Sequence, residues 1–492
     1  MHGGISDITP YFSFRDRYRI LHQSWLAFFL SFVVWFNHAP LMSLIRDTMK
    51  LDAQQVGALL TLNVALTIPA RILVGMLVDK IGPRVAYSAI LVISGLICQA
   101  FAFAVNFEML AIARFLLGFV GAGFVVGIRM ISEWFPAKQM GLAQGVYAGF
   151  GNFGSAAAAF VLPSVASSMG GPEAWRYATA LTGVMAIVYG VIYFFTVSDT
   201  PKGGTYFKPK KTGAMEVTSV PDMLLYILIQ APMFLTLGVL AWQLGFGKLK
   251  LLPDSLTYGV WGVLSLLYFC QVVQIYRVNR VILSEPVPEL HRYRFSQVAI
   301  LCLMYMVSFG GELAVVSMLP LYFKDTFGLT LGAAGMVAGC FAGTAFATRP
   351  LGGWVSDRIG RKKALTIVLI GMVVGYGCMS QLKADWNLYL AVAVMVFTSI
   401  FVNGANGTVY AVLPIIKRRL TGQIAGIAGA YGSVGSVAFL LVLSFTAPSY
   451  LFISISIASA ITLIMVLAFF LEPEGAIAEV MPDGTVTMIE VK

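Results

Sequence analysis

The sequence predicts an all-α integral membrane protein: two pseudo-symmetric six-helix bundles with two extra transmembrane helices between them. Three observations carry this. Of 492 residues, 58% are hydrophobic and 11% are charged, with a mean hydropathy of +0.83. Fourteen apolar runs are each long enough to cross a bilayer. The first part of the chain also repeats in the second at a fixed offset. Soluble domains hold about 45–50% apolar and about 25% charged residues. An ordinary soluble enzyme, a disordered chain and a DNA-binding factor are therefore excluded.

A helix needs about 20 apolar residues to span about 30 Å of hydrocarbon. Six runs come first, at 25–44, 55–78, 85–105, 109–135, 142–166 and 177–197. Two follow, at 223–246 and 256–276. Six come last, at 297–321, 331–355, 364–382, 388–415, 422–445 and 451–471. Barrel strands would give short alternating segments instead. The expected organisation is an N-terminal segment 1–24, a bundle 25–197, a linker 198–296 carrying the extra helices, a bundle 297–471 and a tail 472–492.

The residues before Trp25 are polar and basic, and the run after them is too long for a cleavable leader. Each of Cys98, Cys270, Cys302, Cys340 and Cys378 lies in an apolar run and reads as a small buried side chain.

Lys and Arg set the orientation. With both termini in the cytoplasm, that side collects Arg15, Arg17, Arg19, Lys208, Lys210, Lys211, Arg361, Lys362, Lys363, Lys417, Arg418 and Arg419, among others. The opposite side holds Arg46, Lys50, Arg176, Lys248, Lys250, Lys324 and Lys383. The net charge of +10 is then mostly topology, and no nucleic-acid partner is implied.

Sliding the sequence on itself by 278 residues pairs Asp47-Thr48 with Asp325-Thr326, Gly57 with Gly335, and Arg71 with Arg349. The same offset pairs Asp79 with Asp357, Gly82 with Gly360, Pro136 with Pro414, Gly151 with Gly429, and Gly154 with Gly432. Two parallel halves around a central path are the architecture of alternating-access transporters. After the second span of each half comes G-x-x-x-D-x-x-G-x-[RK]: Gly75 to Arg84, then Gly353 to Lys362. This resembles the loop motif of the major facilitator superfamily over essentially the whole chain. The resemblance implies that Asp79 and Asp357 latch the cytoplasmic ends of helices.

Arg71 and Arg349 lie inside the second span of each half, near Pro69 and Pro350. A charge at mid-bilayer costs about 2.5–3.5 kcal/mol on insertion scales, and arginine does not escape by losing its proton. Neither span carries an Asp or Glu within two turns of its arginine. Each arginine therefore needs a distant partner or an anionic ligand. The prolines can kink these spans and free backbone groups.

Arg114 opens Arg114-Phe-Leu-Leu-Gly118-Phe-Val-Gly121-Ala-Gly123. This looks like the superfamily's fourth-helix motif, with a structural or gating role. Arg129 and Glu133 are spaced to pair on one helix.

The fifth spans are glycine-rich, at Gly145 to Ser155 and Gly426 to Ser436. Interior helical glycine costs about 0.5–1 kcal/mol relative to alanine. The density needs a reason, either close helix packing or backbone approach to a small ligand. These stretches, with the two arginines, resemble the nitrate signature and anion-binding pair of the nitrate/nitrite porter family. Ala39-Pro40-Leu41, Ile45-Arg46-Asp47, Gly141-Leu-Ala-Gln-Gly145 and Tyr305-x-x-x-Phe309-Gly310 extend the match. Ser155 and Ala156 depart from it, standing where the family often has further glycines.

The resemblance implies substrate binding by Arg71, Arg349, Tyr305, Asn152, Gly151, Gly154, Gly429 and Gly432. Nitrate is planar, singly charged and a pure acceptor, and guanidinium offers paired planar donors.

Glu312 is the one carboxylate deep in the first span of the second half. Burial and a nearby arginine act oppositely on a carboxylate, which suits proton binding and release. Symporters of the family resemble this chain in having a Glu here. His38 is a second titratable group, read as hydrogen-bonded within the first helix.

The reading is a monomeric cell-membrane importer of nitrate, and of nitrite, with protons as coupling ion and lipid as surroundings. No cofactor or metal is expected. Nitrate/nitrite exchange, carriage of phosphate or an organic acid, and a non-transporting receptor are the alternatives. The chain has no P-loop, H-E-x-x-H, nucleophile elbow or redox cysteine pair, so no enzyme is expected.

Overall fold

The computed structural model describes residues 13–135, 137–201, 214–247, 249–284, 292–417, 420–472, 475–480 and 486–491. Among them, fourteen helices are long and apolar enough to cross a membrane. In the first half these are α1 (Asp16–Phe36), α3 with α4 (Ala53–Ala65, Thr67–Ile81), α5 (Pro83–Ala102), α6 with α7 (Phe107–Leu117, Gly123–Trp134), α8 (Ala137–Met169) and α9 (Ala174–Thr196). A short α2 (Met42–Met49) follows the first span. The two extra helices are α10 (Val220–Gly245) and α11 (Asp254–Ile282). The second half holds α12 (Phe295–Phe327), α13 with α14 (Leu331–Gly343, Ala345–Ile359), α15 (Arg361–Met379), α16 (Leu388–Ile416), α17 (Thr421–Phe445) and α18 (Pro448–Phe469). The fold is thus all-α in its membrane part, with two six-helix halves and an inserted helical pair.

The first span differs most from its expected bounds. It starts nine residues earlier than the apolar run, at Asp16, and stops at Phe36. Pro40 lacks the N–H that would bond the Phe36 carbonyl, so the helix ends and the chain turns before α2. His38 therefore lies in a buried turn and not in a helix. The tail also gains structure that its acidic composition did not suggest. Strands β1 (Gly475–Val480) and β2 (Val486–Val491) pair antiparallel, with Gly475 opposite Val491. The cysteines divide: Cys98 and Cys302 are buried, while Cys270, Cys340 and Cys378 are exposed. Hydropathy does not tell a core-facing from a lipid-facing position, because both are apolar.

The chain forms two compact units. One comprises Met1–Asp52, Leu62–Lys210 and Val316–Pro350; the other comprises Ala53–Thr61, Lys211–Val315 and Leu351–Lys492. Within the first, α1 packs on α8 and α5 packs on α9. Within the second, α15 packs on α16 and α18, and α10 packs on α11 and α17. The Tyr431 hydroxyl donates to the Ile229 carbonyl at 2.5 Å, fixing α17 to α10.

Each half ties its third span to the end of its sixth in the same way. Gly82 and Gly360 end the second spans at φ +85° and +97°, a backbone that favours glycine. The next helix then begins with unsatisfied N–H groups. Asp199 accepts from the Arg84 amide at 2.7 Å. Glu472 accepts from the amides of Arg361 and, at 3.0 Å, Lys362. A carboxylate at a helix N-terminus is favoured by both hydrogen bonding and the helix dipole.

Candidate functional site

Both arginine-bearing spans are interrupted at repeat-equivalent positions. The first breaks at Leu66, between α3 and α4. Its cause is Pro69, whose missing N–H leaves the Ala65 carbonyl without its helical donor. The second breaks at Thr344, between α13 and α14. Pro350 does not cause that break, since it lies six residues later inside α14. The break follows Gly343, where the Thr344 hydroxyl donates to the Phe341 carbonyl at 3.2 Å and competes with the backbone ladder.

Arg71 and Arg349 then sit in α4 and α14, 4% and 7% exposed, both in the first compact unit. The Arg71 Nε donates to the Gly121 carbonyl at 3.4 Å. Its guanidinium lies 5.7 Å from the Phe124 ring centroid, within cation–π range. That approach depends on tight packing of the second span against the fourth. The Thr67 hydroxyl donates to the Gly118 carbonyl at 2.5 Å. A Cβ on Gly121 would fall 2.7 Å from Thr67 of the second span, and 2.6 Å from Trp35 of the first.

Among the fifth-span glycines, Gly151, Gly154 and Gly432 have close packing neighbours. A Cβ on Gly151 would meet the Phe28 ring at 2.0 Å, and one on Gly154 the Phe29 carbonyl at 2.1 Å. One on Gly432 would fall 2.7 Å from Phe309 and 2.9 Å from Tyr305. Gly429 stands three residues before Gly432 on α17. Gly154→Ala is therefore expected to lower the melting temperature of the purified protein, by about 1–3 kcal/mol of overpacking. Gly145→Ala, with nothing within 4 Å, is the control that leaves it unchanged or higher. Equal melting of the two variants would refute the packing account.

Asn152 is 2% exposed; its Nδ2 donates to the Ala148 carbonyl at 2.7 Å, and its Oδ1 has no hydrogen-bond partner.

In the second unit, Tyr305 is buried and stacked on Phe309, with ring centroids 4.9 Å apart. Tyr410 meets it edge-on at 5.2 Å. One turn beyond Phe309, Glu312 is 2% exposed. Asn406 on α16 donates to its Oε2 at 2.7 Å. The Tyr376 hydroxyl, buried without a hydrogen-bond partner, would lie 3.2 Å from a Cβ on the adjacent Gly311. Sequence reasoning missed Asn406, Tyr376 and Tyr410. The signal for the first was Asn403-Gly-Ala-Asn406, two amides in an otherwise apolar run.

The gating candidates separate. Arg114 is wholly buried and stacks 4.0 Å above Phe101. Its guanidinium donates to Asn37 Oδ1, Asn63 Oδ1 and the Trp35 carbonyl, and bonds His38 Nδ1 at 3.0 Å. Asp357 pairs with Arg361 at 3.6 Å and is 61% exposed. The Asp79 side chain lies outside the described residues, as do Lys208, Lys210, Lys211, Arg418 and Arg419. Arg129 pairs with Glu133 at 2.8 Å, one turn along α7, as their spacing predicts.

The profile of the Major Facilitator Superfamily matches residues 24–279 and 301–483. The nitrate/nitrite transporter NrtP of Nostoc punctiforme is 45% identical over 474 residues, 95% of each chain. The probable nitrate/nitrite antiporter NarK1 of Thermus thermophilus is 28% identical, over 85% of this chain and 83% of its own. Among solved structures, the xylose transporter XylE from E. coli superposes with a TM-score of 0.61 at 15% identity, covering 93% of this chain and all of that one. This last likeness concerns the fold.

Proposed function

We propose that this chain, which belongs to the nitrate/nitrite porter family of the major facilitator superfamily, imports nitrate and nitrite by alternating access with proton symport. The observation that carries the reading is the pair of buried arginines at repeat-equivalent positions, each just past a helix break. Near relatives named as nitrate/nitrite transporters, 45% and 46% identical, support the choice of anion.

Arg71 and Arg349 clamp the anion, their planar forks matching a planar acceptor. Their positive charge draws the anion from water. Asn152 and Tyr305 supply further polar contact, and Gly151, Gly154, Gly429 and Gly432 let the backbones approach. Asp79 and Asp357 act as latches, and Arg114 with His38 holds the first half together. The organisation is 1–24, 25–197, 198–296, 297–471 and 472–492, with both termini in the cytoplasm of a monomer embedded in the cell membrane. The chemistry is transport; no catalytic step or cofactor is assigned.

Glu312 carries the coupling proton. The Asn406 amide donates to its carboxylate at 2.7 Å and ties it to α16. Asn406→Leu removes a hydrogen bond to a charged group, worth about 1.5–3 kcal/mol. Proton-driven accumulation is expected to fall about tenfold or more while counterflow persists. Unchanged accumulation would detach Asn406 from coupling.

The test of the whole reading is labelled-nitrate uptake by purified protein in liposomes, with pH and voltage set independently. Nitrite, chlorate, phosphate and organic acids serve as competitors. Uptake driven by a pH gradient and displaced by nitrite supports it. Displacement by phosphate or organic acids alone would replace the substrate, and strict dependence on internal nitrite would replace symport with exchange.

A further inference from the structure

We propose that Arg46, Asp47, Lys324 and Asp325 form a reciprocal ionic clasp between the two repeat halves, one that must open in each transport cycle. The internal repeat places Arg46 on Lys324 and Asp47 on Asp325, so each half contributes one basic–acidic dyad. The dyads cross-pair. Arg46 forks onto Asp325, with Nη1 to Oδ2 at 2.5 Å and Nη2 to Oδ1 at 3.3 Å. Lys324 Nζ faces Asp47 Oδ2 at 3.9 Å. Arg46 Nε also bonds its neighbour Asp47 at 3.0 Å. Two cations and two anions thus form a neutral chain of contacts across the repeat boundary, at the ends of α2 and α12. Asp325, followed by Asp47, holds the Arg46 guanidinium above its ordinary range.

The repeat duplicates a second kind of contact, once within each compact unit. Gly335, near the start of α13, packs so that a Cβ would fall 2.4 Å from the Ala159 carbonyl. Its repeat mate Gly57, near the start of α3, would bring a Cβ 2.9 Å from the Ser444 hydroxyl. In each case the second span of one half meets the fifth span of the other. Contacts that cross the repeat boundary are those that alternating access has to break.

The ionic part is suited to repeated opening. The Arg46 and Asp325 side chains are 29% and 44% exposed, and those of Lys324 and Asp47 are 27% and 57% exposed. Exposed pairs are individually weak and screened by salt. The clasp therefore biases the closed state without locking it.

The inference rests on the alternating-access reading but on no particular substrate. Two arms test it. Arg46→Cys with Asp325→Cys, in a chain whose five native cysteines are replaced, is bridged by a bis-methanethiosulfonate reagent in liposomes. Labelled-nitrate uptake is expected to drop at least tenfold and to return with reductant. Failure of the two thiols to bridge, or full uptake while bridged, overturns the clasp. Absence of counterflow in the unmodified protein would remove the cycle itself, which is a distinguishable failure.

The other arm needs no substrate. Asp325→Arg places like charges together. Hydrogen exchange over residues 42–61 and 320–335 is expected to speed up about two- to fivefold, the range for exposed ion pairs. Adding Arg46→Asp restores the attraction and the slower exchange. Exchange indifferent to the single reversal, or unrepaired by the double, overturns the proposal.

Discussion

Arg71→Lys and Arg349→Lys are each expected to raise the half-saturating nitrate concentration by about ten- to a hundredfold. Lysine keeps the charge, so long-range attraction survives. It loses the planar fork, whose paired charge-assisted hydrogen bonds are worth about 1.5–3 kcal/mol, and each 1.4 kcal/mol is about tenfold. Arg71→Lys also loses the Nε contact to Gly121 and the stacking over Phe124, which orient the head group. Uptake kinetics in liposomes check this. Wild-type affinity in both variants would leave two buried cations that merely fit the fold. An effect in one alone would make the site one-sided despite the repeat.

Glu312→Gln is expected to abolish accumulation against a nitrate gradient while leaving counterflow intact. Glutamine is nearly isosteric and still offers an oxygen to the Asn406 amide, so the α12–α16 bond is kept. What it loses is the ability to gain and release a proton. The measurement is uptake at fixed voltage with and without an inward proton gradient. Gradient-driven accumulation by the variant would exclude Glu312 as carrier. Loss of counterflow as well would make it part of the anion site instead.

Much of the architecture is legible in the sequence because lipid sets a length. A run of apolar residues long enough to cross the bilayer has few other structures available, and the fixed offset gives the halves their pairing. The first helix break is equally legible, since Pro69 removes a donor at a stated position. The second is not: Thr344 acts through a hydroxyl whose alternative bond depends on local geometry. Side-chain partners across the fold are harder still. Glu312 and Asn406 are 94 residues apart, and nothing in either segment names the other. The exposure of Cys270 and Cys378 was hidden for another reason, because lipid and protein interior select the same residue types.

The close contacts of the fifth spans bear on how such a chain can diverge. Gly151 is small because Phe28 is large, and Gly432 because Tyr305 and Phe309 are. Neither member of such a couple is free to drift alone. A lineage altering one position has to alter its counterpart on another helix, or pass through a poorly folded intermediate. Efforts to retune selectivity along the glycine-rich segments would accordingly do best with libraries that randomise the facing aromatic together with the glycine.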